Sequence, residues 1–115
     1  MARNVTKLAT IASGQTESST VNTDTQLLSG ILFPSAMTGT TVTFKYSTDG
    51  SSWKDVKETD GSAVSYTVSA DDVIRIDPSG WAFASGGYLQ VVSGSSEGAE
   101  RKILLMSDEE EAIPI

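Results

Sequence analysis

The most constraining feature of this sequence is a series of short β-prone runs separated by turn residues. The clearest run is Thr40–Ser47, in which Val42, Phe44 and Tyr46 alternate with threonine and lysine. An apolar residue at every second position is typical of a strand that buries one face. Asp-Gly pairs at 49–50 and 60–61 are strong hairpin signals. Because helical spacing is nearly absent, the pattern predicts an all-β chain.

Short runs of this kind recur along the whole chain. Those predicted as strands are Val5–Ala12, Glu17–Asn22, Gln26–Phe33, Thr40–Ser47, Trp53–Val56, Ala63–Val68, Val73–Ile76, Tyr88–Ser93 and Arg101–Met106. Their spacing predicts an antiparallel β-sandwich, jelly-roll-like, of about eight short strands. We expect one such domain over residues 8–106, an N-terminal arm over 1–7 and an acidic tail over 107–115. Residues 81–83 are predicted to form one helical turn.

The absence of cysteine and histidine excludes much of enzyme chemistry. It removes disulfides, thiolate metal sites, and serine or cysteine triads with a histidine base. The 115 residues include 17 serines and 13 threonines, which on alternating strands read as the polar outer surface of a sandwich. We therefore expect no enzyme and no cofactor, although a site built on carboxylates alone stays open.

The net charge of −7 is unevenly distributed, since the acidic run 108–111 supplies four of the negative charges. A nucleic-acid partner is not expected, because the only pair of adjacent cations is Arg101–Lys102. The first residues lead into no long apolar stretch, so no signal peptide, membrane span or membrane partner is expected. The chain is predicted to be made in a cytoplasm.

Two aspartate motifs have both a functional and a structural interpretation. The segment 47–53, Ser-Thr-Asp-Gly-Ser-Ser-Trp, is similar to the Asp-box hairpin of sialidase propellers but lacks one residue between Asp49 and Gly50. We favour a hairpin turn in which Asp49 caps backbone N–H groups. Asp71, Asp72 and Asp77 resemble a metal cluster but lack the EF-hand pattern. Turn formation is the preferred interpretation, and no metal is expected.

Four aromatic residues offer a second functional hypothesis. Trp53, Tyr66, Trp81 and Tyr88 could form a platform on which a sugar stacks, but packing in the core is favoured, because buried aromatics dominate small cores. If these aromatics are exposed instead, the chain would be a carbohydrate- or host-surface-binding module, which is the alternative function.

The terminal segments are the predicted contact regions. The tail ends in the apolar Ile113-Pro114-Ile115, which is either a frayed end or an arm that docks on a neighbouring subunit. Contacts are also predicted for the loops 35–39 and 93–98. The residues expected at an interface are Arg3, Val5, Lys7, Met37, Glu109, Glu110, Glu111, Ile113, Pro114 and Ile115.

Four blocks of the sequence resemble small structural proteins of tailed bacteriophage virions. They are TIASGQTESS, LFPSAMTGTTVTFKYSTDGSSW, IDPSGWAF and the final RKILLM, and the resemblance covers residues 5–106. It implies a head decoration (cement) protein that binds the major capsid protein on the outer capsid surface. It also implies a homotrimer at three-fold or quasi-three-fold positions. The matching blocks contain turn and core residues, so the resemblance implies no catalytic residue.

Overall fold

The strands of this chain form two antiparallel sheets, which pack face to face through their alternating apolar residues. A computed structural model describes residues 3–23 and 26–109. The elements are β1 (Arg3–Ile11), β2 (Val21–Asn22), β3 (Gln26–Leu32), β4 (Thr41–Ser47), β5 (Lys54–Asp55), β6 (Tyr66–Thr67), β7 (Val73–Arg75), a 3-10 helix (Pro78–Gly86), β8 (Tyr88–Ser93) and β9 (Arg101–Glu109). Every strand pair is antiparallel. The predicted all-β antiparallel sandwich is confirmed.

The two terminal strands pair along their full length. Sheet 1 has the strand order β1-β9-β3-β7, and sheet 2 has the order β2-β8-β4-β5, with β6 also paired to β4. Arg3 lies opposite Glu109, and Ile11 lies opposite Arg101. Residues 3–7 and 107–109 are thus strand residues: 5–7 agree with the predicted strand Val5–Ala12, whereas 3–4 and 107–109 were expected only in the arm and the tail. The polar residues 107–109 continue β9 because β1 and β3 pair with it on both sides.

Side chains from the facing surfaces of the two sheets form the core. Sheet 1 contributes Ala9, Ile11, Leu28, Ile31, Ile103 and Leu105, and sheet 2 contributes Val21, Val42, Phe44, Leu89 and Val91. Burial of each large apolar side chain contributes about 1.5–3 kcal/mol to folding. The alternation predicted for Thr40–Ser47 is confirmed over 41–45, where Val42 and Phe44 are buried, but it breaks at the end of the strand, where Tyr46 is partly exposed and Ser47 is buried.

The short polar strands are briefer than predicted, and the helix is longer. In place of a strand over 17–22 there is β2 with isolated bridges at Glu17 and Ser18, because a polar run gains little from burial on either face. The helix starts where Asp77 accepts a hydrogen bond from the Ser79 amide (3.1 Å) and Pro78 supplies a compatible φ. None of the described helical residues forms a helix long and apolar enough to cross a bilayer.

Candidate functional site

Three loops meet at one end of the sandwich, and the buried carboxylate of Glu97 holds them together. These loops, which we call the loop cluster, comprise residues 12–16, 35–39 and 94–98 and follow β1, β3 and β8. Glu97 is only 1% exposed although its neighbours Ser96 and Gly98 are exposed. A buried carboxylate is costly unless hydrogen-bond donors surround it, so its partners determine how this end of the molecule is built.

Each carboxylate oxygen of Glu97 accepts two hydrogen bonds. Oε1 accepts from the Thr38 amide (2.8 Å) and from Arg101 Nε (2.8 Å). Oε2 accepts from the Gly39 amide (2.9 Å) and from Ser93 Oγ (2.6 Å). Charge-assisted bonds of this kind are stronger than neutral ones. The side chain therefore fixes the 35–39 loop against the start of β9.

The backbone of Glu97 joins the third loop to the other two. Its amide donates to the Gln15 carbonyl (3.0 Å), and its carbonyl accepts from the Gly14 amide (2.7 Å). Gly14 has a φ of +83°, in the left-handed region that favours glycine. One residue thus connects all three loops, which gives this end a single defined surface.

The electrostatics of Glu97 fit a structural role. Burial by itself raises the pKa of this carboxyl, but the donors from Ser93, Thr38, Gly39 and Arg101 outweigh burial and bring the pKa to about 2. The group is ionised at neutral pH, and each of its oxygens already has two donors. Since little acceptor capacity remains for a substrate, the carboxylate acts on the loops and not on a reacting molecule.

Where the structure describes them, the predicted contact regions fall at two opposite ends of the sandwich. The loops 35–39 and 93–98 lie together in the loop cluster, next to the pair Ile11 and Arg101. Of the terminal segments, the described residues 3–7 and 108–109 extend to the other end of the same strands, where Arg3 faces Glu109. Eight residue steps separate these two pairs, which is about 27 Å along the strand. Among the described residues, the predicted loops and the predicted terminal segments therefore do not share one contact surface.

The predicted interface residues have different environments. Val5 and Lys7 are half-buried and share the inner side of β1 with Ala9, while Met37 packs partly against the core. For Arg3 and Glu109 the structure gives backbone pairing. The remaining predicted interface residues lie outside the described residues: Glu110, Glu111, Ile113, Pro114 and Ile115.

An aromatic cleft of about 350 Å³ lies on another part of the surface, beside the 3-10 helix. Trp81 is buried below it and donates from Nε1 to Tyr66 Oη (3.2 Å). Phe83 stacks on Trp81 with an interplanar angle of 27° and is 50% exposed. Core packing, the favoured interpretation, is confirmed for Trp81. Phe83, which was not among the four predicted aromatics, supplies the exposed ring of this cleft.

Both aspartate motifs form turns. Asp49 Oδ1 accepts from the Ser51 and Ser52 amides (2.9 Å each), and these bonds hold its pKa well below the usual range. Asp72 Oδ2 accepts from Ser69 Oγ (2.7 Å), and Asp77 caps the helix. Within residues 3–23 and 26–109, no group of three or more acidic residues is arranged to hold a metal ion.

No family model, curated protein or solved structure matches this chain.

One surface feature escaped the sequence analysis. The outer face of sheet 1 carries four apolar residues in directly opposed register, one from each strand, which we call the outer row: Leu8, Leu104, Leu32 and Val73. The signal was present in the segment 103–106, Ile-Leu-Leu-Met, because four successive apolar residues make both faces of a strand apolar. Two of the three large exposed apolar residues in the described chain, Leu8 and Val73, belong to this row.

Proposed function

We propose that this chain is a capsid decoration (cement) protein of a tailed double-stranded DNA bacteriophage. It binds the outer surface of the major capsid lattice as a trimer at three-fold or quasi-three-fold positions and stabilises the head. The resemblance of residues 5–106 to virion structural proteins and the all-β sandwich both support this proposal.

The loop cluster is the observation that carries the proposal. A stabilising protein must present a fixed surface, because ordering loops at the moment of contact reduces affinity. Here the buried Glu97 fixes three loops before any partner arrives, because its side chain accepts four hydrogen bonds and its backbone makes two more. Exposed small residues such as Ala36 and Ser96 lie on this surface. They allow the close approach of a partner.

Binding to capsids tests the proposal directly. The purified protein is added to capsids that lack decoration, and bound protein is measured by co-sedimentation, together with the resistance of the particles to heat and osmotic shock. We expect saturable binding and higher resistance. If the protein neither binds these capsids nor protects them, the cement function is wrong.

A pair of matched variants tests which surface is used. Ala36→Trp adds a bulky side chain to the loop cluster, and Ala82→Trp adds the same side chain to an exposed position of the 3-10 helix. We expect Ala36→Trp to lose capsid binding and Ala82→Trp to keep it. Equal binding by both variants would remove the loop cluster from the contact surface.

A further inference from the structure

The outer row is an apolar surface that lies apart from the loop cluster, on the outer face of sheet 1. We infer that it is the docking site for residues 110–115 of a second copy of this chain. The inference deepens the proposed function and rests on it, because it supplies the contact that holds the subunits of the proposed trimer together.

The row crosses the whole outer face of sheet 1. Leu8 lies opposite Leu104, Leu104 opposite Leu32, and Leu32 opposite Val73. Opposed side chains on one face of a sheet are neighbours, and three strand spacings give a continuous strip about 14 Å long. Leu8 is 47% exposed and Val73 is 53% exposed, while the two central leucines are partly buried. The strip therefore presents enough apolar surface for a short peptide but too little for a complete interface by itself.

Charged residues of both signs lie beside the row: cations flank it on β9 and β7, and the exposed Asp71 and Asp72 precede Val73 at one end. Lys102 lies on the same face two residues before Leu104, and Arg75 lies two residues after Val73. Both are exposed, and neither takes part in an ion pair within the described part of the chain. In a protein of net charge −7, this face thus combines an apolar strip with one exposed cation on each side, Lys102 lying farthest from the two aspartates.

The end of the chain has the complementary chemistry. Residues 110–115 read Glu-Glu-Ala-Ile-Pro-Ile, so two acids precede two isoleucines. In an extended segment Ile113 and Ile115 lie on the same side, about 7 Å apart. Pro114 lacks a backbone N–H and is poorly suited to extend a β-ladder. The segment is therefore fitted to lie across an apolar face, with its acids near Lys102 and Arg75.

Residues 110–115 are too short to reach the outer row of their own molecule, so the outer row of another molecule is favoured. The described part of β9 extends to Glu109, five residues beyond Leu104, which is about 17 Å along the strand. A reversal of direction uses about two residues, and the remaining four span about 14 Å. Folded back along its own strand, Ile115 would lie level with residue 106 and would not reach the outer row. A neighbouring copy has no such restriction.

Disulfide trapping tests the contact, since the natural chain contains no cysteine. Full-length Val73→Cys protein is mixed with full-length Ile115→Cys protein under mild oxidation, and the products are separated on a non-reducing gel. The matched control replaces Val73→Cys with Phe83→Cys, which alters an equally exposed apolar residue outside sheet 1. We expect the mixed dimer with Val73→Cys and little with Phe83→Cys. Equal yields with the two partners would overturn the inference.

Sedimentation of the free protein gives an independent measurement. We expect the natural protein to self-associate, and Val73→Lys or the pair Ile113→Ser and Ile115→Ser to weaken association at least about tenfold. Phe83→Ser should leave it unchanged. A monomer at all concentrations, or association that these changes do not weaken, would refute the inference while leaving capsid binding by single subunits possible. If Val73→Lys abolishes capsid binding but not self-association, the occupant of the row is the capsid protein and the inference is wrong.

Discussion

Replacement of Glu97 by glutamine is the sharpest test of how the loop cluster is built. Glu97→Gln keeps the size and shape of the side chain but turns one acceptor oxygen into a donor amide. Because each oxygen accepts two hydrogen bonds, the new amide must face two donors. Arg101 also loses the carboxylate that pairs with it at 2.8 Å.

The structure gives the size of the effect by two routes. Breaking a buried ion pair by removing one partner typically costs about 3–5 kcal/mol. A fall of the Glu97 pKa from 4.5 to about 2 corresponds to about 3 kcal/mol of stabilisation at neutral pH. The two values agree, so we expect Glu97→Gln to lower the free energy of unfolding by about 3–4 kcal/mol. That is a large fraction of the stability of a domain this size.

The pH dependence has a defined sign. A carboxyl whose pKa is lowered by folding contributes its full stabilisation above its unfolded pKa, near 4.5, and loses it as the pH falls towards 2. The stability difference between the natural protein and Glu97→Gln should therefore shrink across this window. Urea unfolding at a series of pH values measures it. Glu100→Gln, at an exposed position in the same segment, should unfold like the natural protein.

A small effect would refute this reasoning. If Glu97→Gln costs less than about 1 kcal/mol, or if its stability difference is constant between pH 4.5 and pH 2, the carboxylate does not hold the loops. Should Glu97→Gln fail to fold, Ser93→Ala provides a milder change. It removes one donor, the hydroxyl at 2.6 Å, and should cost about 1.5–3 kcal/mol.

Three further predictions concern close packing and the aromatic residues. Gly39→Ala should destabilise the protein in urea because the added Cβ would collide with the Ser93 hydroxyl at the end of β8, whereas Gly80→Ala, which has open space around it, should not. Gly87→Ala should destabilise it as well, since its Cβ would lie 2.6 Å from a backbone carbonyl that cannot rotate away; natural-like unfolding would contradict this. Acrylamide should quench Trp53 more than Trp81, measured in Trp→Phe variants that each leave one indole, because Trp81 is 3% exposed and Trp53 is partly exposed. Equal quenching would contradict the buried position of Trp81.

Local patterns in the sequence predicted the sandwich but not the loop cluster. The alternation around Phe44 and the turn chemistry of Asp49 act over a few residues, so both could be read from neighbouring positions. Glu97 receives its donors from Thr38, 59 residues away, and from Arg101 on another element. A glutamate in a serine- and glycine-rich loop is ordinarily exposed. Its burial depends on tertiary contacts, which no local pattern encodes.

The two proposed contact surfaces differ in chemistry, and this difference makes them separable by experiment. The outer row combines an apolar strip with exposed cations, and attraction between exposed charges is screened over about 8–10 Å in physiological salt. Added salt should therefore weaken self-association, as measured by sedimentation, more than it lowers the stability that Glu97 gives to the loop cluster. Acid acts the other way, because the buried Glu97 is shielded from salt but is protonated as the pH falls towards 2. If salt released the protein from capsids while leaving the free oligomer intact, the assignment of the two surfaces would have to be reversed.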